Sequence, residues 1–400
     1  MPPKNIINKN NLLHLLNVEE AHLPLGHLTI NENEKATKKI VYQPEGHPKQ
    51  AIIDGEIWPP IFEVEAVRSA KSMQPLPSDV FVCTYPKCGT TWIQHICSQL
   101  LFCSGLIEYG PHQGKVAELC ITSPMIERVG ADYCNNLNHP RLLKTHFSHN
   151  NCPKNNLSKY IFACRNPKDC LISYYHHNKN FKIYDWADGN FDQFFQLFIE
   201  GKLAFGDYFE HLKSWLPQKK NNKNLLFLKY EDMLKDLKGT IILIAKFLGE
   251  NSSKLIENNK ILEKIIKESQ LESMQQNQTR WFPGNALHNE SFIRKGCARD
   301  WKNYLSREQS DLMDKLFKQR MAGTEAENWW KDEMRWEDEE EENEEFKQET
   351  EELETLNNDS GMESGDDEES CFDNNNRRDS VSSECYSTTS CSSSLDSSNF

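Results

Sequence analysis

The sequence predicts an α/β fold whose central, mostly parallel sheet is covered by helices on both faces. The first observation is a set of short apolar runs, rich in β-branched and aromatic residues, with the length of buried strands. The second is that helical patterns lie between these runs, as expected where parallel strands are joined by crossovers. The third is a glycine-containing turn within Thr84–Trp92, between the first strand and a helix. The predicted strands are Asp79–Pro86, Arg141–His146, Lys159–Asn166 and Leu225–Tyr230.

The predicted helices are runs in which apolar residues recur every three to four positions. The clearest are Ile93–Phe102, Lys168–His177, Phe191–Trp215, Met233–Leu248 and Ser253–Lys267. In open sheets of this kind, ligands bind outside the carboxyl ends of the strands. We therefore expect the loop at Lys87 to lie at one edge of the sheet, together with the strand-end residues His146, Arg165 and Tyr230.

Composition divides the chain into three parts. Residues 1–40 are polar and weakly patterned, which predicts a mobile N-terminal segment. Residues 41–324 contain all the predicted strands and form the predicted folded domain. Residues 325–400 carry 26 acidic and five basic residues and are rich in serine, which predicts a disordered acidic C-terminal tail. The rest of the chain has 34 acidic and 41 basic residues, so the net charge of −14 hides a basic body suited to a polyanionic ligand.

Several classes of protein are disfavoured by what the sequence lacks. The 13 cysteines are scattered without the spacing of a zinc site, and no metal-ligand cluster is evident. No apolar run reaches the roughly 18 residues that a membrane span requires, and the first residues lack the apolar core of a signal peptide. No nucleic-acid-binding motif is present. We therefore expect a cytoplasmic protein with reduced thiols, no metal, no nucleic-acid partner and no membrane association.

The turn Thr-Tyr-Pro-Lys-Cys-Gly-Thr-Thr-Trp, residues 84–92, has the features of a phosphate-binding loop. The N–H groups of the first helical turn have no partners inside the helix and can bind an anion. Gly89 lets the backbone approach a ligand, and Thr90 and Thr91 add hydroxyl donors. A Walker A loop would place its lysine directly after a glycine. Here Lys87 precedes the glycine, which argues against hydrolysis of ATP or GTP.

This P-loop-like turn resembles the phosphosulfate-binding loop of the cytosolic sulfotransferases, whose common form is Pro-Lys-Ser-Gly-Thr-Thr-Trp. Cys88 stands where serine is usual, which is a small change in volume. The resemblance continues, in the family's order, over about residues 56 to 323. It implies that the loop binds the phosphosulfate of 3′-phosphoadenosine 5′-phosphosulfate (PAPS). The loop residues concerned are Lys87, Cys88, Gly89, Thr90, Thr91 and Trp92.

Lys144 and His146 end the second predicted strand, within Arg-Leu-Leu-Lys-Thr-His. Alternate residues of a strand point to the same side, and a neutral imidazole can accept a proton near pH 7. Taken alone, a lone histidine is more often structural, and a strand-end lysine is more often solvated. The string resembles the family segment that carries the catalytic histidine. The resemblance implies His146 as general base, with Lys87 and Lys144 offsetting charge on the bridging oxygen.

Arg165 ends the third predicted strand, within Arg-Asn-Pro-Lys-Asp, and Ser173 lies two turns into the helix that follows. Arginine can hold a phosphate through two parallel hydrogen bonds. Taken alone, the segment is a capped helix with surface charges. It is similar to the family segment that binds the 3′-phosphate of PAPS, which implies that role for Arg165 and Ser173.

A third basic segment begins at Phe292 and contains an Arg-Lys-Gly triplet, which offers two cations and a glycine N–H, although such a triplet is commonly only solvated surface. It looks like the family signature Arg-Lys-Gly-x-x-Gly-Asp-Trp-Lys, which implies a second set of 3′-phosphate ligands. Arg299 occupies the place of the second glycine. If that position needs a positive φ, arginine adds roughly 1–2 kcal/mol of strain, and otherwise it adds a cation. The implied ligands are Phe292, Ile293, Arg294, Lys295 and Gly296.

The adenine base of PAPS requires a flat surface. By resemblance, Trp92 and Tyr230 supply it, although both would also suit a core. Ser269 and Leu271 stand where the family often has Thr-x-Phe beside the base, so one aromatic contact is missing.

Taken together, the resemblance implies a sulfotransferase domain at 41–324 that transfers a sulfonate group from PAPS to a small phenol, alcohol, sterol or amine. The family's dimer motif would fall on 302–311, where Arg307 replaces valine, so the homodimer is left open. One alternative is a P-loop nucleotide kinase or NTPase, against which the missing Walker motifs count. Another is a cofactor-binding protein with weakened catalysis, against which the presence of Lys87, Lys144 and His146 counts.

Overall fold

The computed structural model describes residues 39–102, 118–220, 222–276, 278–282, 284–289 and 291–336. Most of the predicted mobile N-terminal segment and most of the predicted acidic tail lie outside the described residues, so both remain predictions.

The described residues contain two sheets. The smaller is antiparallel, with the order β1-β2-β3, and consists of β1 (Ile40–Tyr42), β2 (Gln50–Ile53) and β3 (Glu56–Trp58). Asp54 and Gly55 join β2 to β3 with φ values of 54° and 81°, as in a two-residue hairpin. The larger sheet is parallel, with the order β5-β4-β6-β7, and consists of β4 (Val80–Thr84), β5 (Leu142–Thr145), β6 (Lys159–Cys164) and β7 (Leu225–Lys229).

Helices make up most of the remaining described fold. The α-helices are α1 (Val64–Ser72), α2 (Thr90–Phe102), α3 (Glu118–Thr122), α4 (Ile126–Asn135), α5 (Pro167–Asn180), α6 (Phe191–Ile199), α7 (Tyr208–Trp215), α8 (Tyr230–Lys235), α9 (Leu237–Leu248), α10 (Glu250–Glu257), α11 (Asn259–Glu268), α12 (Leu271–Gln276), α13 (Gln278–Trp281), α14 (Arg307–Met321) and α15 (Lys331–Met334). Short 3₁₀ helices lie at Lys182–Tyr184, Leu216–Gln218, Gly284–Ala286 and Asp300–Asn303.

The parallel sheet is buried on both faces, because alternate residues of its strands enter two different hydrophobic clusters. Val80 and Val82 pack with residues of α2 and α9 on one face. Phe81 and Cys83 belong to the larger cluster on the other face, which includes residues of α1, α5 and α6. The predicted α/β architecture, a parallel sheet with helices on both faces, is confirmed.

Three of the predicted helices are wrong, because each is two helices in the structure. Each break falls at a side chain that caps the next helix by accepting an N–H bond, as short polar residues do. Asp207 caps α7, Asp236 caps α9 and Asn258 caps α11. The predicted helices concerned are Phe191–Trp215, Met233–Leu248 and Ser253–Lys267.

The fold continues past 324, the end of the predicted domain, as far as Trp336. Trp330 is 1% exposed, and its indole N–H donates to the carboxylate of Glu231 at 2.8 Å. Lys168 is fully buried, and its ammonium donates to the carbonyl of Met334 at 2.5 Å and to the carboxylate of Asp314 at 2.8 Å. Residues 325–336, which the prediction assigned to the tail, therefore pack against the domain.

The nine described cysteines are free thiols. Among the described helices, none has the length and apolar character needed to cross a membrane.

Candidate active site

A cavity of about 1770 Å³ opens at the carboxyl ends of the parallel strands. Lys87 follows β4, His146 follows β5, and both line the cavity. Arg165 follows β6, Tyr230 follows β7, and both line it as well. The four strands are neighbours and run in the same direction, which brings these residues to one edge of the sheet.

Every predicted site residue except Cys88 lines this cavity. Cys88 is fully buried, and its Sγ lies 3.8 Å from Sγ of Cys170 behind the loop. The residues that do line the cavity are Lys87, Gly89, Thr90, Thr91, Trp92, Lys144, His146, Arg165, Ser173, Tyr230, Ser269, Phe292, Ile293, Arg294, Lys295 and Gly296.

The loop between β4 and α2 has two residues with positive φ, Lys87 at 71° and Gly89 at 91°. Glycine adopts this conformation without cost, whereas lysine is strained there by roughly 1–2 kcal/mol. A Cβ at Gly89 would lie 3.0 Å from Cδ2 of Tyr230, so a larger residue would also force that ring to shift. Helix α2 begins at Thr90, whose hydroxyl lies 2.6 Å from that of Thr84, and its first N–H groups have no partners inside the helix.

Positive charges surround the loop. Burial, followed by the charges of Arg165, Lys144 and Arg294, lowers the pKa of Lys87 to about 8. Burial also lowers the pKa of Lys144. The ammonium of Lys87 lies 5.0 Å from the centroid of the Phe292 ring. Because these cations perturb one another, an anion bound among them would interact favourably with several at once.

His146 is 7% exposed, and its Nδ1 lies 2.8 Å from the carbonyl oxygen of Thr84. Because a carbonyl oxygen only accepts, Nδ1 carries the proton and Nε2 keeps its lone pair. Burial, followed by the charge of Lys144, lowers the pKa of His146 well below its usual 6.5. The ring is therefore neutral at neutral pH, with one nitrogen able to accept the proton of a hydroxyl group.

Arg165 is held in a fixed position at the end of β6. Its Nη2 donates to the carbonyl of Cys297 at 2.8 Å, and its guanidinium lies 4.3 Å from the ring centroid of Tyr230. Its Nε is buried and has no hydrogen-bond partner among the described residues. Arg165 therefore keeps a donor for a ligand, as expected of a phosphate-binding arginine. Ser173 lines the same cavity from α5.

Arg294 and Lys295 both pair with Asp300. Nη2 of Arg294 lies 2.6 Å from one carboxylate oxygen, and Nζ of Lys295 lies 2.8 Å from the other. Burial acts to raise the pKa of Asp300, but the hydrogen bonds from Lys295 and Arg294 outweigh it and lower that pKa. Nη1 of Arg294 is buried and unpartnered among the described residues, so this cation too keeps a donor.

Two glutamines that the sequence analysis missed fix the backbone of this basic segment. Oε1 of Gln278 accepts the N–H groups of Phe292 and Ile293 at 2.8 and 2.9 Å. The amide of Gln275 donates to the carbonyl of Arg294 at 2.6 Å. A lone glutamine on a short helix carries no sequence signal for such a role.

Arg299 has φ 62° and ψ 15°, which is the left-handed conformation that glycine adopts freely. The strain expected for arginine at this position is therefore present. Its N–H donates to Asp169 at 2.7 Å, and its Nη2 donates to the carbonyl of Arg335 at 3.0 Å. Arg299 does not line the cavity, so the alternative expectation, an additional cation for the ligand, is wrong.

The residues expected beside adenine form one wall. Trp92 and Tyr230 make an edge-to-face pair with ring centroids 5.6 Å apart. The indole N–H of Trp92 donates to the carbonyl of Ser269 at 2.8 Å, which fixes its ring. The side chain of Ser269 is fully buried. A Cβ at Gly296 would lie 2.6 Å from Cδ1 of Leu271, so this glycine allows Leu271 to pack closely.

A second part of the lining is aromatic, and we call it the aromatic wall. Phe205 adjoins His146, since the centroids of the two rings lie 5.0 Å apart. Phe147, the residue after His146, is 1% exposed and packs on Trp58 with ring centroids 5.8 Å apart. The members of the wall are Phe62, Tyr175, Phe181, Tyr184, Phe191, Phe205 and Phe282.

His177 is a second imidazole in the cavity, and the sequence analysis did not single it out. It lies one turn after Ser173 on α5, so the two share a helix face. Burial, followed by the charges of Lys87 and Lys144, lowers its pKa well below 6.5, which indicates that it lies near those cations. Its ring lies 4.0 Å from that of Phe181. No hydrogen bond joins its ring to another described residue, and it lines the cavity, so His177 offers a neutral polar group to a ligand.

The donor set fits a doubly phosphorylated nucleotide. The unpartnered guanidinium nitrogens of Arg165 and Arg294, together with the start of α2, provide donors for two anionic groups in one cavity. Glu272 is the one carboxylate among the described lining residues, which include seven lysines and arginines. Among the described residues, no group of three or more His, Cys, Asp or Glu side chains is arranged to hold a metal ion.

Comparison with known proteins agrees with this geometry. A family model described as "Sulfotransferase domain" matches residues 77–325. Sulfotransferase 1C2 of Oryctolagus cuniculus is 33% identical over 301 residues, which cover 70% of this chain and 92% of that protein. Sulfotransferase 1C2 of Rattus norvegicus is 34% identical over 264 residues, which cover 62% of this chain and 84% of that protein.

Among solved structures, the mouse sulfotransferase SULT7A1, complexed with PAP, has a TM-score of 0.57 and 25% sequence identity to this chain. The similarity covers 70% of this chain and 98% of the mouse protein. The alternative interpretation as a nucleotide kinase or NTPase is not favoured by these matches. The chain therefore belongs to the sulfotransferase family and is an enzyme that transfers a sulfonate group from PAPS.

Proposed function

We propose that the cationic part of the cavity binds the two anionic ends of PAPS. Lys87, the N–H groups at the start of α2, and the hydroxyls of Thr90 and Thr91 bind the phosphosulfate in this proposal. Trp92 and Tyr230 flank the adenine. The unpartnered nitrogens of the two arginines support the assignment of the 3′-phosphate. Its proposed ligands are Arg165, Ser173, Arg294, Lys295 and Gly296.

His146 acts as the general base in this proposal. PAPS, when bound, supplies the sulfonate that is transferred. Nε2 of His146 accepts the proton of the acceptor hydroxyl, while the Nδ1–H bond to the carbonyl of Thr84 holds the ring in the required tautomer. Lys87 and Lys144 hold positive charge beside the oxygen that leaves. The single observation that carries the proposal is that the neutral imidazole and both lysines line the same cavity.

The acceptor in this proposal is a phenol, alcohol or sterol rather than a protonated amine. The aromatic wall suits flat or ring-containing molecules. A cationic amine would meet seven lysines and arginines and a single carboxylate among the described lining residues. Charge therefore disfavours it relative to a neutral hydroxyl compound.

We also propose a cytoplasmic location, since the nine described cysteines are free thiols and reduced thiols persist in that compartment. The homodimer stays a separate question. Arg307, at the valine of the family's dimer motif, pairs within its own helix with Asp311 at 3.1 Å. A charged residue paired within its own helix stands where the family's dimer motif has an apolar valine, which argues against self-association through this motif.

The test is transfer of labelled sulfonate from PAPS to a panel of phenols, alcohols, sterols and amines. We expect turnover with hydroxyl acceptors and a loss of about 10²- to 10⁴-fold in kcat for His146→Ala, because the proton acceptor is removed. Binding of PAP should remain within about twofold, since His146 is not among the proposed cofactor ligands.

The matched control is His47→Ala, which removes a histidine outside the cavity and should leave turnover unchanged. Full turnover by His146→Ala would contradict the proposed mechanism. Preference for amines over phenols of equal size would contradict the proposed acceptor class.

A further inference from the structure

Glu127 is a buried carboxylate that the proposed transfer chemistry does not use. It lies in the first turn of α4 and is 0% exposed. It does not line the cavity. Burial raises its pKa to about 7, so the position is a costly one for a charge. A residue that only filled space at this position would be apolar, so the buried carboxylate indicates a role beyond packing.

One oxygen of Glu127 holds the end of strand β5. Oε1 accepts the hydroxyl of Thr145 at 2.9 Å and the backbone N–H of His146 at 2.5 Å. The hydroxyl oxygen of Thr145 in turn accepts the N–H of Phe147 at 3.0 Å. A single carboxylate therefore fixes three successive residues, and the middle one is the proposed general base.

Glu127 is itself held against the strand. The N–H of Lys144 donates to the carbonyl of Pro124 at 2.9 Å, and Met125 forms a parallel bridge with Lys144. These backbone bonds fix the start of α4 beside β5. The carboxylate therefore approaches His146 from a rigid support, as is required of a group that orients another.

The imidazole of His146 is consequently fixed from two sides. Its Nδ1 is tied to the carbonyl of Thr84 on β4, and its backbone N–H is tied to Glu127 on α4. Two anchors on different elements determine where Nε2 points within the cavity. A displacement of about 1 Å at a reacting group can cost about 10²-fold in rate, so this direction matters for catalysis.

The titratable groups that face Glu127 are one lysine and two thiols. Lys144 on β5 is the cation whose charge favours the ionised form of Glu127. Cys83 on β4 and Cys134 on α4 also face it, and its negative charge helps to raise the pKa of both thiols. Oε2 has no hydrogen-bond partner among the described residues. Oε1 therefore accepts both hydrogen bonds at the end of β5, and bonds to an ionised acceptor are about twice as strong as neutral ones.

We propose that Glu127 is a positioning residue, which holds the backbone at His146 so that Nε2 faces the acceptor hydroxyl. This inference rests on the proposed role of His146 as general base. It assigns to α4 a part in catalysis although Glu127 touches neither the cofactor nor the acceptor.

The test compares Glu127→Ala and Glu127→Gln with the matched control Asp132→Asn, an exposed carboxylate on the same helix. We expect Glu127→Ala to lower kcat by about 10²-fold, with the KM for PAPS and for the acceptor within about twofold. Glu127→Gln keeps an oxygen for both hydrogen bonds, so it should recover most of the lost kcat. Asp132→Asn should behave like the wild type.

The pH profile of kcat separates this role from a merely structural one. In the wild type, kcat should fall a few-fold as the pH falls through about 7, because protonation of Glu127 removes the charge from its bonds to Thr145 and His146. In Glu127→Gln this acid limb should be absent. If Glu127→Ala fails to fold, the inference can still be tested, because the pH profile compares only the wild type with Glu127→Gln.

Two results would overturn the inference. One is a folded Glu127→Ala protein that loses thermal stability but keeps its kcat. The other is an unchanged acid limb in Glu127→Gln. Both differ from failure of the proposed function, in which His146→Ala itself would retain full turnover.

Discussion

The cationic part of the cavity and its aromatic wall are built in different ways. The cationic part comes mainly from three short segments, at Lys87, Arg165 and Arg294. The first two adjoin strand ends, and the third is fixed by glutamines and an aspartate. The aromatic wall takes its seven residues from dispersed positions of the chain, between Phe62 and Phe282. The first can be recognised from contiguous sequence, whereas the second exists only after folding. Binding of the cofactor should therefore depend on charge, and choice of acceptor on dispersed apolar and polar contacts.

The largest expected effect comes from the cationic part. Lys87→Met should lower kcat by about 10²- to 10³-fold, because it removes a preorganised charge beside the leaving oxygen. The ratio of rates for two acceptors should stay the same, since the aromatic wall is unchanged. Steady-state kinetics with two phenols measures both quantities, with the exposed surface change Lys254→Met as control. A changed acceptor ratio would show that the two parts are not separable.

The same lysine gives a pH dependence. Its pKa is lowered to about 8, so in the free enzyme the ammonium loses its proton as the pH rises through that value. We expect kcat/KM for PAPS to fall above about pH 8, because kcat/KM reports groups of the free enzyme. Under saturating PAPS, the bound anion should move this basic limb to higher pH. Basic limbs at the same pH in both parameters would contradict the proposed contact.

An intermediate effect is expected at His177, which lines the cavity beside Phe181 of the aromatic wall. His177→Phe keeps the ring size and removes the neutral polar group that faces the cavity. The KM for a dihydroxynaphthalene should rise about tenfold, the value of one or two hydrogen bonds, while 2-naphthol and PAPS keep theirs. Kinetics over the isomeric diols measures this. Equal changes for 2-naphthol and every diol would mean that His177 acts through shape alone.

The smallest expected effect lies outside both parts of the cavity. Arg299 has positive φ, so alanine there is strained while glycine is not. Both substitutions lose the bond to the carbonyl of Arg335 equally. Arg299→Ala should therefore be less stable to unfolding than Arg299→Gly by about 1 kcal/mol. Urea denaturation measures the difference, and an alanine variant as stable as the glycine variant would contradict the strain.

The parts of the fold and site that could be predicted are those with local signals. Apolar runs identified the four strands of the parallel sheet, and the turn containing Gly89 identified the loop at the end of β4. Asp207, Asp236 and Asn258 were visible as capping residues, but the apolar period on either side of them suggested continuous helices. The Asp54-Gly55 pair is likewise a local hairpin signal, and both residues have the positive φ of such a turn.

The remainder could not be predicted, because it depends on contacts between distant residues. His177 faces the cavity only because α5 starts at the same strand end as Arg165. Gln278 and Glu127 act on backbone N–H groups 14 and 19 positions away, which no pattern of residue types encodes. Arg299 could be identified as an odd residue in a glycine position, but its φ required the structure.

The burial of Lys168 has a practical consequence for anyone trimming this chain into a recombinant fragment. An expression boundary placed at 324, where the acidic composition begins, would remove the Met334 carbonyl. The buried ammonium of Lys168 would then lose one of its hydrogen-bond acceptors. The same boundary would also remove the buried side chain of Trp330 and leave a cavity in its place. A truncated protein suited to crystallisation or limited proteolysis therefore has to retain the chain through Trp336, even though that stretch looks dispensable from its charge.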